Sequence, residues 1–221
     1  MQLGSRLFTV LLLPFSVILM GTAVEAQSPA RTHLGHVSSG FNGAPDGRGL
    51  AVTTAMEISL TMMHANLAVG DLADLDNMKT HVGHVLHLIS PAEGAQGPGL
   101  GFGVIPGIEG SIRHIELAMN ADGASESLRA HAAHVALAAR GEVARAEQAV
   151  ELAQQILAVS AATEAAPFVE ELRALALALD TGSDVNGNGR LDLDGIEGGF
   201  GQLENHLYLI LEGEMLPRVL Q

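Results

Sequence analysis

Residues 64–84 read HANLAVGDLADLDNMKTHVGH, and residues 114–134 read HIELAMNADGASESLRAHAAH. In both stretches a single His precedes an HxxH pair by the same distance, 17 residues (81 − 64 and 131 − 114). Between the single His and the HxxH pair, each stretch contains residues that typically end one helix and begin another. These are Gly70 and Asp71 in the first stretch, and Gly123 and Ser125 in the second. Each stretch therefore predicts two antiparallel helices joined by a tight turn, and the repetition predicts an internal duplication.

The composition points to the same fold class. Alanine and leucine dominate, aromatic residues make up only 3% of the chain, and the alternation typical of strands is nearly absent. We therefore expect an all-α protein in which duplicated helical hairpins form an antiparallel helix bundle, with a four-helix core and two C-terminal helices. The expected bundle domain spans 49–221, with repeat one at 49–90, repeat two at 108–160 and a C-terminal hairpin at 163–213.

The N-terminal residues have the features of a secretory signal peptide. Arg6 is followed by an apolar run, and small residues precede an expected cleavage site after Ala26. We expect 1–26 to be removed, and 27–48, which contain Pro29 and Pro45, to form an irregular lead-in. No later segment is apolar enough to span a membrane, so the sequence predicts a periplasmic or secreted protein.

Charge and cysteine content exclude several classes of function. The formal net charge is −14 and the chain has no cysteine. An acidic surface disfavours nucleic acid as a partner. Without cysteine there are no disulfides, no iron–sulfur clusters and no covalently attached haem.

The repeated histidines predict metal binding. Counting outward from each turn places His64 level with His81 and His114 level with His131 on neighbouring helices. The two members of an HxxH pair share one helical face, so each hairpin offers three imidazoles with a coordination position left open. Either two such sites or one shared centre fits this spacing, and inherited packing or a pH-sensitive network is the non-metal alternative. The predicted ligands are His64, His81, His84, His114, His131 and His134.

Four further histidines are secondary candidates. His33-Leu-Gly-His36-Val in the lead-in repeats the pattern of His81-Val-Gly-His84-Val. His87 follows His84 on the same helical face. His206 lies in the last expected helix.

A second kind of ion site is predicted near the C-terminus. The stretch that begins at Asp184 matches the first nine positions of a calcium-binding EF-hand loop and lies between two expected helices. Position twelve, which should be a bidentate acid, is Gly195, so Asp194 or Glu197 would have to replace it; the alternative is a plain turn. The candidate calcium ligands are Asp184, Asn186, Asn188, Arg190, Asp192 and Glu197.

These motifs together resemble a group of uncharacterised exported, His-rich helical bacterial proteins with repeated HxxH motifs and a C-terminal EF-hand-like loop. The resemblance is carried by 33–37, 45–50, 79–87, 97–103, 114–118 and 184–199, with His206 following. It implies the same exported helical fold, and it implies no activity.

Three functions are consistent with the sequence. The first is binding of zinc or copper through paired helices. The second is a noncovalent b-type haem protein for electron transfer, in which His64 faces His81 or His114 faces His131 across the iron. The third is a scaffold that docks a protein partner. No strand-turn-helix context for a nucleophilic serine is present, so the sequence favours a binding protein over an enzyme.

Overall fold

A computed structural model describes residues 28–192 and 195–218. Over these residues the protein is all-helical, with seven α-helices, one short 3₁₀ turn at Pro45–Gly47 and no strand. The helices are α1 (Pro29–Ser38), α2 (Leu50–Ala68), α3 (Leu75–Ile89), α4 (Val104–Asn120), α5 (Glu126–Ala158), α6 (Ala162–Thr181) and α7 (Phe200–Gly213). The expected signal peptide, 1–26, lies outside the described residues. None of the described helices combines the length and the apolar character needed to cross a membrane.

The predicted bundle is confirmed. Helices α2 and α3 pack as one hairpin and α4 and α5 as another, while α5 also packs against α6 and α7. The core is a single cluster of aliphatic side chains, mostly Ala, Leu, Val and Ile. The long helix α5 runs for 33 residues and packs against α3, α4, α6 and α7, so it acts as the central element of the bundle.

Short polar side chains begin several of the helices. The hydroxyl of Ser125 accepts a hydrogen bond from the backbone N–H of Leu128 at 3.0 Å, as expected for an N-cap. The carboxylate of Asp74, not that of Asp71, caps α3 by accepting from the N–H of Asn77 at 3.0 Å. Asp71 instead stabilises the turn before it, through the N–H of Ala73.

The prediction of an irregular lead-in at 27–48 is wrong for its first part, which forms helix α1. Ser28 caps a helix at Pro29–Ser38, and proline is well tolerated in a first helical turn because its missing N–H would have no partner there. Leu34 and Val37 are fully buried, because α1 packs on α4. The segment is therefore part of the bundle.

The glycine-rich loop before α4 closes on a buried carboxylate. Glu57 of α2 is fully buried, and its Oε1 accepts hydrogen bonds from the backbone N–H groups of Leu100, Phe102 and Gly103 at 3.0–3.3 Å. Gly103 is the N-cap of α4 and offers no capping side chain, so Glu57 places a negative charge at the positive end of that helix. At Gly99, where φ is +98°, an added Cβ would lie 2.4 Å from Glu57 Oε2, so the loop approaches the carboxylate too closely for a side chain.

A second buried acid lies on α5. Glu142 is fully buried, and neither of its carboxylate oxygens has a hydrogen-bond partner. Burial raises its pKa well above the ordinary value; Arg145 opposes this rise, and the neighbouring carboxylates of Asp180 and Glu204 add to it. The guanidinium of Arg145 is used elsewhere, because it donates to the backbone carbonyls of residues 178, 196 and 198.

Replacing Glu142 by Gln should stabilise the protein at pH 7 by about 1–3 kcal/mol, because the amide cannot ionise and so removes the cost of burying a charged carboxylate. A carboxyl whose pKa is raised by folding binds more protons in the folded state, so stability is lost as the pH rises above the unfolded value. The gain should therefore shrink towards pH 4.5. Urea unfolding at both pH values measures it, and a destabilised variant at pH 7 would show that the charged carboxylate is required.

Candidate metal centre

Six helices carry the same local pattern, a His followed by buried residues one and four positions later. In the HxxH pairs the first His is followed by Leu34 and Val37, Val82 and Val85, or Ala132 and Val135, all fully buried. After the single histidines the same positions hold Ala65 and Ala68, Ile115 and Ala118, or Leu207 and Ile210. Positions i+1 and i+4 form one helical stripe, and burying it rotates each His to the edge of the core.

This rotation brings nine of the ten histidines into three groups of three. In each group, ring nitrogens of all three residues lie within 4.8 Å of one another. Each combines an HxxH pair on one helix with a single His on another. We name them the first triad (His33, His36 and His114), the second triad (His64, His81 and His84) and the third triad (His131, His134 and His206).

The second triad is the one that the hairpin spacing predicts. His64 on α2 is buried, and its Nδ1 lies 3.0 Å from Nδ1 of His81 and 3.2 Å from Nδ1 of His84 on α3. The ring planes of His64 and His84 are inclined at 77°. Three rings thus point one nitrogen each at a common centre.

The predicted grouping of His114 with His131 and His134 is wrong. Nδ1 of His114 on α4 lies 3.1 Å from Nδ1 of His33 and 3.3 Å from Nδ1 of His36, both on α1. The residue spacing fixes the height of His114 and His131 along the hairpin, but not the direction in which each side chain leaves its helix. The buried stripe of α4 turns His114 towards α1 instead.

His131 and His134 on α5 face the last helix. Nδ1 of His131 lies 3.3 Å from Nδ1 of His206 on α7, and the ring centroids of His134 and His206 are 5.0 Å apart. His134 is exposed, so this triad is the most open to solvent. Three of the secondary candidates, His33, His36 and His206, are therefore members of triads.

His87 does not join a triad. Its side chain lies against the loop at Gly94 and Gly97, where an added Cβ would lie 2.8–3.1 Å from atoms of His87. Its Nδ1 is buried without a hydrogen-bond partner. The structure thus separates His87 from the other nine histidines.

The first triad differs from the other two by an aromatic neighbour. The ring of Phe41, in the loop after α1, lies 5.5 Å from the ring of His36 and 5.2 Å from that of His114, measured between centroids. An added Cβ at Gly43 would lie 2.6 Å from the Phe41 ring, so glycine leaves room for it. Phe41 places an apolar surface beside the first triad.

Distances of this size suit a shared ion better than hydrogen bonds. Each Nδ1 offers either one N–H or one in-plane lone pair, so the central His of a triad cannot make good hydrogen bonds to both of its neighbours. Around a tetrahedral ion with metal–nitrogen bonds of about 2.0–2.1 Å, two ligand nitrogens lie about 3.3 Å apart. The observed separations of 3.0–3.3 Å are close to that value.

The local electrostatics favour the neutral form of five of the triad histidines. Burial, followed by the neighbouring histidines, lowers the pKa of His33, His64, His84 and His206 below 6.5. At His114, burial and then His36, His33 and Arg113 lower the pKa to about 4. A metal ligand must be a neutral imidazole, so these shifts favour metal binding at neutral pH.

The metal-free protein should lose stability in acid as these groups titrate. A His whose pKa falls on folding binds fewer protons in the folded state than in the unfolded state. The free energy of unfolding is therefore highest above pH 6.5 and decreases as the pH falls, for His114 down to its folded pKa of about 4. Urea unfolding in a chelator at pH 7 and pH 5 should show this loss, and His114→Gln should make it smaller. An equal loss in the variant would contradict the assignment to His114.

The EF-hand-like loop joins α6 and α7 as predicted, and Glu197 rather than Gly195 supplies its inward acid. Glu197 is buried; its Oε1 accepts from the N–H groups of Val185 and Asn186 at 3.0 Å, and its Oε2 from that of Asp192 at 2.8 Å. Gly195, with φ +85°, lies against α5, where an added Cβ would be 2.7 Å from the side chain of Leu137. A side chain at this position is therefore excluded.

The other predicted calcium ligands form hydrogen bonds within the loop. Asp184 accepts from the N–H groups of Asn188 and Gly189, and Asp192 accepts from the side-chain amides of Asn186 and Asn188. The backbone N–H of Arg190 is bound to the side chain of Asn188. Asp194 lies outside the described residues.

Comparison with known proteins adds no assignment: no family model, no curated protein and no solved structure matches this chain.

Proposed function

We propose that this protein binds three transition-metal ions, zinc or copper, one at each histidine triad. The observation that supports this most strongly is the convergence of three ring nitrogens in each of three places built from different helices, with five Nδ1–Nδ1 distances of 3.0–3.3 Å. A packing histidine needs one hydrogen-bond partner, and chance would not repeat a three-nitrogen centre on three helix pairs. The proposal includes export from the cytoplasm, on the strength of the N-terminal sequence.

The ligand set favours a transition metal such as zinc or copper over calcium or magnesium. All three triads offer imidazole nitrogen and no carboxylate among the clustered atoms, and imidazole suits zinc, copper, nickel and iron rather than calcium or magnesium. Three ligands leave one tetrahedral position for water or an incoming ligand. Such an open position argues against a purely structural role for the ion.

The test is elemental analysis of the purified protein together with calorimetric titration of the metal-free form with zinc and with copper. We expect three equivalents of one metal per chain, and weaker binding in acid, where protons compete with the metal for the imidazoles. No bound metal and no heat of binding would contradict the proposal and leave the scaffold function as the alternative. His87→Ala is the control, because this residue lies outside the triads.

The geometry does not support the haem alternative. Axial histidines lie on opposite faces of a porphyrin, but Nδ1 of His64 and Nδ1 of His81 are only 3.0 Å apart, which leaves no space for the ring. The other predicted axial pair, His114 and His131, belongs to two different triads. We expect no Soret band after incubation with haem.

Calcium binding by the loop stays a prediction, supported by the inward position of Glu197. If calcium binds, the ion should replace the backbone N–H groups as the partner of the Glu197 carboxylate. At a calcium concentration of 100 times the dissociation constant, binding should stabilise the fold by about 2.7 kcal/mol. Thermal unfolding with and without calcium measures this, and Asp184→Ala should abolish the effect. An Asp184→Ala variant that still responds would contradict binding in this loop.

A further inference from the structure

Helix α2 presents apolar side chains to the solvent and buries polar ones. Met56, Met63 and Leu67 are 38–45% exposed, and Leu60 between them is half-buried. We call these four residues the α2 stripe. The buried side of the same helix carries Thr53, Thr54, Glu57, Thr61 and His64. The stripe therefore lies outside the core.

The stripe has the spacing of a coiled-coil seam. Its members are separated by four, three and four residues, which is the alternation of the two core positions in a heptad. Leucine and methionine at these positions can pack between two helices that cross at a small angle. The surface is therefore shaped to receive another helix along its length.

The lack of exposed charge on α2 makes this surface suitable for a second copy of the acidic chain. Glu57 is the one charged residue of α2 and it is fully buried, so the helix exposes no charge although the chain carries −14. Ser59 and Asn66, which flank the stripe, are exposed and uncharged, and the side-chain oxygen of Asn66 accepts a hydrogen bond from Arg173 of α6 at 2.7 Å. Two acidic molecules can thus meet here without carboxylates facing one another across the contact.

The two ends of the stripe differ in charge. Arg48 lies just before α2, where its guanidinium contacts the sulfur of Met56 at 3.7 Å and forms an ion pair with Asp46 at 3.1 Å, so the charges at this end cancel. Exposed Asp71 and Asp74 leave the other end acidic. An antiparallel alignment keeps the acidic ends of the two copies apart, whereas a parallel alignment would bring them together.

We propose that two copies of this protein associate through an antiparallel pairing of their α2 stripes. The arrangement is a two-fold symmetric interface in which the same surface is used twice. Met56 of one copy packs against Leu67 of the second copy, and Leu60 packs against Met63. This association is independent of metal binding, because the triads are not part of the stripe.

Analytical ultracentrifugation of the purified protein in a chelator tests the pairing without metal bridges. We expect a concentration-dependent dimer, and Leu67→Glu should weaken it at least tenfold because the new carboxylate would lie in the seam. The matched control is Leu117→Glu on α4, where the leucine is 43% exposed against 45% for Leu67. A monomer at all concentrations, or equal dimers in both variants, would overturn the proposal.

Cross-linking tests the orientation, and the absence of native cysteine makes it unambiguous. Met56→Cys and Leu67→Cys proteins should form a disulfide-linked dimer when mixed. Each alone should not, because 11 residues of helix, about 16 Å, would separate identical positions in an antiparallel pair, beyond the reach of a disulfide. Cross-linking of either variant with itself, and not in the mixture, would overturn the antiparallel arrangement.

Discussion

His114→Ala should remove one of the three bound metal ions and leave the other two in place. His114 is the central ligand of the first triad, with Nδ1 atoms of two other histidines at 3.1 and 3.3 Å. Loss of an outer-shell partner typically costs 10- to 100-fold in metal affinity, so loss of a direct ligand should weaken this site by about 100-fold or more. Competition with a chromophoric chelator measures the effect and counts the remaining sites.

The same experiment distinguishes the observed grouping from the one that the hairpin spacing predicts. His206→Ala should remove the ion of the third triad, and a protein with both substitutions should keep only the ion bound by His64, His81 and His84. If His114 instead shared a site with His131 and His134, the double variant would lose no more than His114→Ala does. That outcome would contradict the assignment of His33 and His36 as ligands.

Saturation with zinc should raise the melting temperature by tens of degrees. A ligand present at 1,000 times its dissociation constant stabilises the folded state by about 4.1 kcal/mol per site, or about 12 kcal/mol for three independent sites. A domain of this size gains about 2–4 °C per kcal/mol. Scanning calorimetry before and after addition of a chelator measures the shift.

The control for this stabilisation is the variant in which His64, His114 and His206 are all replaced by Ala. It should melt at the temperature of the metal-free protein, with or without zinc. A large zinc-dependent shift in this variant would place the stabilising sites outside the triads. The shift should also contain a part from α1, since an ion held by His33, His36 and His114 joins this helix to α4.

The sequence predicts the helices well, because their ends are local. Turn residues such as Gly70 and Ser125 act within a few positions of the chain, and apolar periodicity sets the helical segments between them. The second triad is likewise predictable, since its three histidines belong to one hairpin. The repeated HxxHV pattern, seen at His33, His81 and His131, also marks the helices that carry a pair.

The partners of the other two triads depend on packing between distant segments. The 17-residue spacing between His114 and His131 does not determine which neighbouring helix the side chain of His114 faces. Helix α1 was not predicted, because Pro29 and Pro45 indicate an irregular segment. A stronger signal was present in the buried residues one and four positions after each His, which orient all six helices alike. This pattern becomes informative only when the three single histidines, His64, His114 and His206, are compared with one another.

Two further features lie beyond local rules. The apolar stripe of α2 faces solvent because Glu57 is needed inside to hold the loop before α4, and no periodicity reveals that requirement. In the C-terminal loop, contact with Leu137 excludes a side chain at Gly195, so the inward carboxylate comes from Glu197. Both depend on long-range contacts with another helix.

Anomalous X-ray scattering from crystals of the zinc- or copper-loaded protein tests the central claim most directly. The account predicts three anomalous peaks per chain, each bound by one ring nitrogen from every His of one triad at about 2.0–2.1 Å. Peaks elsewhere, ligation of His114 together with His131, or fully loaded protein without a peak at the triads would contradict it.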